Sequence, residues 1–139
     1  MIVKGGDNVS LEKNKAVVRK VIEEVNKRNL AVLDEFMALD LVDHDRKVRG
    51  RETDFNHGKQ AIAKILQDYP DLHTTIEDII AEGDKVWFLE KDTGLSISQD
   101  TGLLDSSGKK MDVTSLFILR IVNGKFVESW GPLLLQKTP

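Results

Sequence analysis

Glu128 is the residue whose surroundings in the chain point most directly to chemistry. It lies in Lys125-Phe126-Val127-Glu128-Ser129-Trp130, immediately after Asn123-Gly124. Asn and Gly both tolerate the positive φ of a type I′ turn, so this dipeptide predicts a two-residue hairpin loop between the alternating runs of Lys109 to Gln136. In that register Val122 faces Lys125, Ile121 faces Phe126, Leu119 faces Glu128, Phe117 faces Trp130 and Ser115 faces Pro132. Strand alternation then sets Glu128 on an otherwise apolar face with Phe117, Leu119, Phe126 and Trp130, while Arg120, Val122, Lys125, Val127 and Ser129 share a mixed face. A carboxyl shut away from water is pushed toward a neutral pKa, which suits it to take a proton from a carbon beside a carbonyl. The structural alternative is a carboxylate paired with a Lys or Arg of a covering helix, or one that reaches water near the hairpin end.

His44, in Asp43-His44-Asp45, is the second group of interest. A neutral imidazole can donate to a carbonyl oxygen or change charge near physiological pH; the alternative is an exposed loop His beside acidic neighbours. The three His are scattered, there is no Cys, and the Asp residues suit turns, so no metal site is expected. Gly-rich phosphate loops, a dinucleotide fingerprint and a nucleophile elbow are all missing from the sequence. Nucleotide-dependent chemistry and serine hydrolysis are therefore set aside, and no cofactor is expected.

The elements that must position these groups follow from hydrophobic period. Residues 1–9 form a lead, Ser10 is a plausible N-cap, and Val18, Val21, Ile22 and Val25 make Leu11 to about Lys27 an amphipathic helix. A second short helix runs from Leu30 to about Leu39, with Leu30, Leu33 and Met37 on one stripe and Phe36 beside it. Arg46 to Asn56 has no period and reads as a loop. Gly58 or Asn56 opens a third helix on Ile62, Ile65, Leu66 and Tyr69, which Pro70 stops. From His73 the period is two: Thr74 to Ala81 and Lys85 to about Thr93 form a hairpin around Glu82-Gly83-Asp84. The Gly94 to Gly108 stretch is a short strand or an excursion. Helices followed by mostly antiparallel strands, with no repeating βαβ order, define an α+β domain with helices on one side of a meander. A helix lying across a curled sheet leaves a hollow that Phe36, Tyr69, Phe117, Leu119 and Trp130 either fill or line.

A chain of 139 residues is read as one domain, able to bury about two-thirds of its unfolded surface and to fold without metal or disulfide. Its net charge of -3, with both signs interspersed, offers no basic patch for nucleic acid. No signal-peptide core and no apolar run of membrane length is present, so a cytoplasmic protein without a membrane partner is expected.

Several stretches together resemble the SnoaL-like polyketide cyclases of the nuclear-transport-factor-2-like superfamily. They are Asn14 to Phe36, Val42-Asp43-His44-Asp45, Tyr69-Pro70-Asp71-Leu72, Ala81-Glu82-Gly83-Asp84-Lys85-Val86, Gly108-Lys109-Lys110, and Asn123-Gly124 through Trp130. The resemblance covers nearly all of the chain after residue 10. It implies a curled, mostly antiparallel sheet wrapped around the N-terminal helices as a cone-shaped α+β barrel, an apolar cavity, and a homodimer packed through the sheets, with the mixed hairpin face as the contact.

Such cyclases close a ring by an intramolecular aldol reaction, using an Asp a few residues after the Trp. Here that stretch is Trp130-Gly131-Pro132-Leu133-Leu134-Leu135-Gln136, with no Asp. Relatives also carry a His before a Thr-Gly pair; here Asp100 precedes Thr101-Gly102, although a turn Asp is the simpler account of it. The resemblance places His44 near the cavity mouth. Two functional readings follow. One is cofactor-free cyclase, isomerase or lyase chemistry on a small, mostly apolar carbonyl compound, with Glu128 as base and His44 or Asp100 assisting. The other is a non-catalytic ligand-binding or dimeric interaction module that has lost the catalytic Asp.

Overall fold

The computed structural model describes residues 8–95 and 110–135. Helix α1, Asn8–Asn26, places Val18 and Val21 on its buried stripe, with Val17, Ile22 and Val25 beside them. A short helix, α2 (Ala31–Phe36), follows after Arg28, whose φ of 68° reverses the chain. Arg28 also donates to the carbonyls of Pro70 and Leu72 at 2.7 and 2.8 Å, tying the end of α1 to the far side of the fold.

The next segment differs from the expected helix. Met37–Asp43 is a strand, β1, pairing in parallel with the last strand of the chain. That pairing and burial of Met37 and Leu41 override the local helical period. Another difference is α3, His44–Val48, which occupies part of the expected loop. Asp43 caps it, accepting from the Arg46 amide at 3.1 Å. Helix α4, Phe55–Asp68, is capped by Asp54, whose carboxylate accepts from the His57 amide at 3.1 Å.

Four further strands complete the sheet: β2, His73–Glu82; β3, Lys85–Leu95; β4, Lys110–Val122; and β5, Lys125–Leu135. Their order is β1-β5-β4-β3-β2, antiparallel except for β1 beside β5, in a curled sheet that does not close. Val86, Phe88, Ile121 and Phe126 on its inner face pack with Val18, Val21, Val32 and Leu33 of α1 and α2, and Phe55 of α4 joins them. A second buried cluster, Tyr69, Leu72 and Met111, lies under Ile65 and Leu66 of α4. The architecture is therefore the α+β class expected, with the helices against a curled sheet.

The β4–β5 turn has the expected form, with φ of 52° at Asn123 and 77° at Gly124. The register beyond it does not. Ile121 faces Phe126, but Arg120 faces Glu128, because a bulge leaves Val127 unpaired. One inserted residue flips the side chains that follow, so Leu119 faces Ser129 and Ile118 faces Trp130. A second irregularity at Gly131-Pro132 restores the alternation, and Ser115 faces Leu134. Gly131 has a φ of 112°, and a Cβ there would stand 2.7 Å from the Leu116 carbonyl oxygen. Only glycine fits this corner, and Pro132 has no N–H to give to the ladder.

Candidate functional site

The Val127 bulge turns Glu128 and Trp130 to the outer face of the sheet, away from Phe117, Leu119 and Phe126. There Glu128 meets His44 from the start of α3: His44 Nε2 lies 2.8 Å from Glu128 Oε2. A carboxylate only accepts, so Nε2 carries the proton of this pair. Arg120 donates from its Nη1 to Glu128 Oε1 at 2.9 Å and from its Nε to Asp84 Oδ2 at 2.8 Å, bridging two carboxylates. The bond from His44, and next that from Arg120, hold the Glu128 carboxyl below the usual carboxylate range. This environment is the reverse of the apolar one expected from unbroken alternation.

The imidazole of His44 stacks on Trp130, with centroids 4.7 Å apart and planes 7° from parallel. Lys85 Nζ stands 5.2 Å from the same indole centroid. The structure therefore brings together two of the three sequence-derived acid/base candidates. Asp100 lies outside the described residues.

The residues expected to line a hollow separate into groups. Phe36, Phe117 and Leu119 are partly buried against the main core cluster, and Phe117 stacks on Phe88 at 5.7 Å. Tyr69 is fully buried in the second cluster, and its hydroxyl has no hydrogen-bond partner among the described residues. Trp130 belongs to the outer face.

The inner face carries acidic groups that the sequence-derived candidates do not include. On β3, Val86 and Phe88 point to the core, so strand alternation puts Glu90 and Asp92 on the same side. That period of two is present in the sequence and continues past the last apolar residue of the run. Glu90 faces Ser115, which is buried, and Asp92 faces Val113. Burial is the largest cause that pushes the Glu90 carboxyl well above the usual range, followed by its hydrogen bond to Asp92 and the charge of Asp92.

Neighbouring groups fix Asp92. The Thr74 hydroxyl of β2 donates to Asp92 Oδ1. Thr74 is clamped in turn by Asn26 at the end of α1, whose Oδ1 accepts from the Thr74 amide at 2.9 Å and whose Nδ2 donates to the Thr74 carbonyl at 2.8 Å. Lys91, between the two carboxyls in sequence, points to the other face and lies 3.8 Å from Asp112. Among the described residues no group of three or more His, Cys, Asp or Glu is placed to hold a metal ion, and no helix is long and apolar enough to cross a membrane.

Residues 15–133 match the family model of the SnoaL-like polyketide cyclases. The chain belongs to that family. Solved structures agree in fold. A SnoaL-like protein from Jannaschia sp. CCS1 superposes with a TM-score of 0.71 at 18% identity, covering 92% of this chain and 89% of that one. TsrD from Streptomyces laurentii gives 0.73 at 20% identity, covering 89% and 87%. A SnoaL-like polyketide cyclase from Agrobacterium tumefaciens C58 gives 0.68 at 16% identity, covering 88% and 91%. Comparison with curated proteins found no match. Family and fold are thus those of a cyclase-type SnoaL-like domain, whose β5 has Gly131 and Pro132 directly after Trp130.

Proposed function

We propose that this SnoaL-like domain takes a small, mostly apolar carbonyl compound between its helices and the inner sheet face, and there performs cofactor-free cyclase, isomerase or lyase chemistry. The observation that carries this reading is Glu90. It keeps some solvent contact, yet burial dominates its raised pKa, as expected for a side chain on the floor of a concavity. A carboxyl that burial makes hold its proton more firmly than usual can give that proton to a carbonyl oxygen, and a neighbouring carboxyl can take one from the adjacent carbon. Asp92 is that neighbour. His44 and Glu128, on the opposite face, serve this reading by fastening α3 and β1 to β5 and so keeping the curl of the sheet.

Exchange of the proton beside a carbonyl tests the chemistry without knowledge of the natural substrate. Deuterium uptake by 1-tetralone in D2O, followed by NMR, should be accelerated by the protein and lose that acceleration in Glu90→Gln. Equal acceleration by wild type and variant would remove the assignment.

A binding role without turnover is the second reading, and Gly131 favours it. At the corner directly after Trp130 a side chain would meet the Leu116 carbonyl, so β5 offers no acid there. A compound that raises Tm but is recovered unchanged would support the binder. Saturation at a hundred times Kd corresponds to about 2.7 kcal/mol of stabilisation.

The outer face supports a homodimer. Ile80, Trp87, Ile118 and Trp130 form one row across β2, β3, β4 and β5. Ile80 and Trp87 are 61% and 42% exposed, a continuous apolar strip of the kind that a second copy covers.

A further inference from the structure

Four of the six residues in Arg46-Lys47-Val48-Arg49-Gly50-Arg51 are cations, in a chain whose net charge is -3. They form the end of α3 and the turn that closes it. Gly50, at a φ of 70°, donates its amide to the Lys47 carbonyl at 3.0 Å, and the Arg51 amide donates to the Arg46 carbonyl at 2.9 Å. In a helix end closed by glycine in this way, the positions of Arg46 and Arg51 usually carry an apolar contact. Here both carry a guanidinium. Like charges set side by side are destabilising, and an anion between them removes that cost.

The structure itself supplies little of that anion. Arg46 Nε donates to the Glu52 carbonyl at 2.6 Å, and Arg49 pairs with Asp45 at 3.3 Å. Among the described residues no carboxylate pairs with Arg46, Lys47 or Arg51. A helix C-terminus favours cations, which accounts for Arg46 and Lys47 in the last turn. It does not account for Arg51, which lies past the helix, or for Val48, which is 88% exposed in the midst of the charges. The cluster is also held in place beforehand, because Asp43 caps α3 while His44 bonds Glu128 and stacks on Trp130. Little ordering is left to be done on binding.

We infer that the end of α3 is a docking surface for an acidic segment of a partner protein, with carboxylates for Arg46, Lys47 and Arg51 and an aliphatic side chain against Val48. The surface uses other residues than the carbonyl site and does not depend on the chemistry proposed there. The kind of partner follows from what flanks the cations. Asp45 and Glu52 bracket them, so a lipid headgroup layer or a phosphodiester backbone, uniformly negative, would meet two carboxylates as well, whereas a peptide can place its charges singly. A bilayer calls for a broad apolar face, and α3 is five residues long with Val48 as its one apolar residue. Single-stranded nucleic acid calls for an aromatic platform, and residues 46–52 contain none.

The probe is a fluorescein-labelled peptide of three Glu-Glu-Leu-Glu repeats, titrated with the full chain and followed by anisotropy. Wild type should bind it although both carry net negative charge, and the affinity should fall as salt is raised. Lys47→Glu combined with Arg51→Glu should weaken binding about tenfold, with circular dichroism unchanged because both side chains are exposed; Lys47→Gln combined with Arg51→Gln should fall between. Val48→Ser should weaken binding through the leucine. Lys13→Glu combined with Arg19→Glu on α1 makes the same change in net charge and should bind as wild type does. Absence of binding by wild type, an equal loss in the α1 variant, or full affinity in the Lys47/Arg51 variants would overturn the surface, and full affinity in Val48→Ser would overturn the aliphatic contact. Tighter binding of wild type to phosphatidylglycerol vesicles or to oligo(dT), lost in the same variants, would overturn the protein partner in favour of a membrane or a nucleic acid.

Discussion

Arg120 stands directly across the sheet from Glu128, and its guanidinium holds one carboxylate oxygen at 2.9 Å while His44 holds the other at 2.8 Å. This arrangement makes Glu128 a fixed anion. It also ties the start of α3 to the β4–β5 hairpin, His44 and Glu128 being 84 residues apart in sequence.

Glu128→Gln should lower Tm at neutral pH, with an acid limit set by linkage. The folded-state pKa of Glu128 is depressed, so its contribution is present above the unfolded carboxylate value and is lost as pH falls through the folded one. Thermal melts of wild type and variant across that acid window should therefore converge. A Tm difference independent of pH would contradict the pairing.

For Glu90 the sign is opposite. Its folded-state pKa is raised, so stability is fully present below the unfolded carboxylate value and declines as pH rises toward the folded one. Glu90→Gln should gain on wild type through that window, as read from urea midpoints at several pH values. Its acceleration of ketone exchange should fall by about 10²–10⁴-fold, the usual share of a positioned acid or base. A variant that is more stable and less active would mark a group retained for chemistry.

Asn26→Ala removes both hydrogen bonds that clamp the Thr74 backbone and frees the residue whose hydroxyl fixes Asp92. The expected loss is about 1–3 kcal/mol in urea unfolding, from two part-buried bonds. Acceleration of ketone exchange should fall too, through the misplaced Asp92 carboxyl.

Gly131→Ala forces a Cβ to within 2.7 Å of the Leu116 carbonyl oxygen at a φ of 112°. A loss of about 1–3 kcal/mol is expected from the backbone strain alone, checked by urea unfolding. A silent substitution there would mean that the β5 corner is not needed to restore the strand register.

Trp87→Glu places a charge in the middle of the outer apolar row between Ile80 and Ile118. Sedimentation should show wild type as a dimer and the variant as a monomer with unchanged circular dichroism. A wild-type monomer would remove the homodimer reading.

Some of this structure is legible in the chain. The period of α1 and α4, the β2–β3 hairpin and the Asn123-Gly124 turn are local patterns, and each was found where its residues indicate. β1 is less legible, because Met37 to Asp43 becomes a strand only through its partner β5, more than eighty residues away. The bulge at Val127 has no local signal: Phe126, Glu128 and Trp130 alternate smoothly either way. Gly131-Pro132 does carry one, since a proline inside a paired strand marks an irregularity. Glu90 and Asp92 lie on the parity of Val86 and Phe88, but attention to aliphatic and aromatic positions alone passes over them. The orphaned Tyr69 hydroxyl depends on three-dimensional packing and has no counterpart in the sequence.

The two irregularities of β5 enclose only Glu128, Ser129 and Trp130. Such a strand works like a cassette: three consecutive positions have their inside and outside exchanged, while the ribbon before and after keeps its orientation. Drawing Val127 into regular pairing with Arg120, with the extra residue taken up at Gly131-Pro132 instead, would revolve this triplet and send a carboxylate and an indole beneath the helices, with Ser129 brought out into water. The place at which β5 carries its extra residue thus separates two quite different linings for the same scaffold, with the turns at either end left as they are.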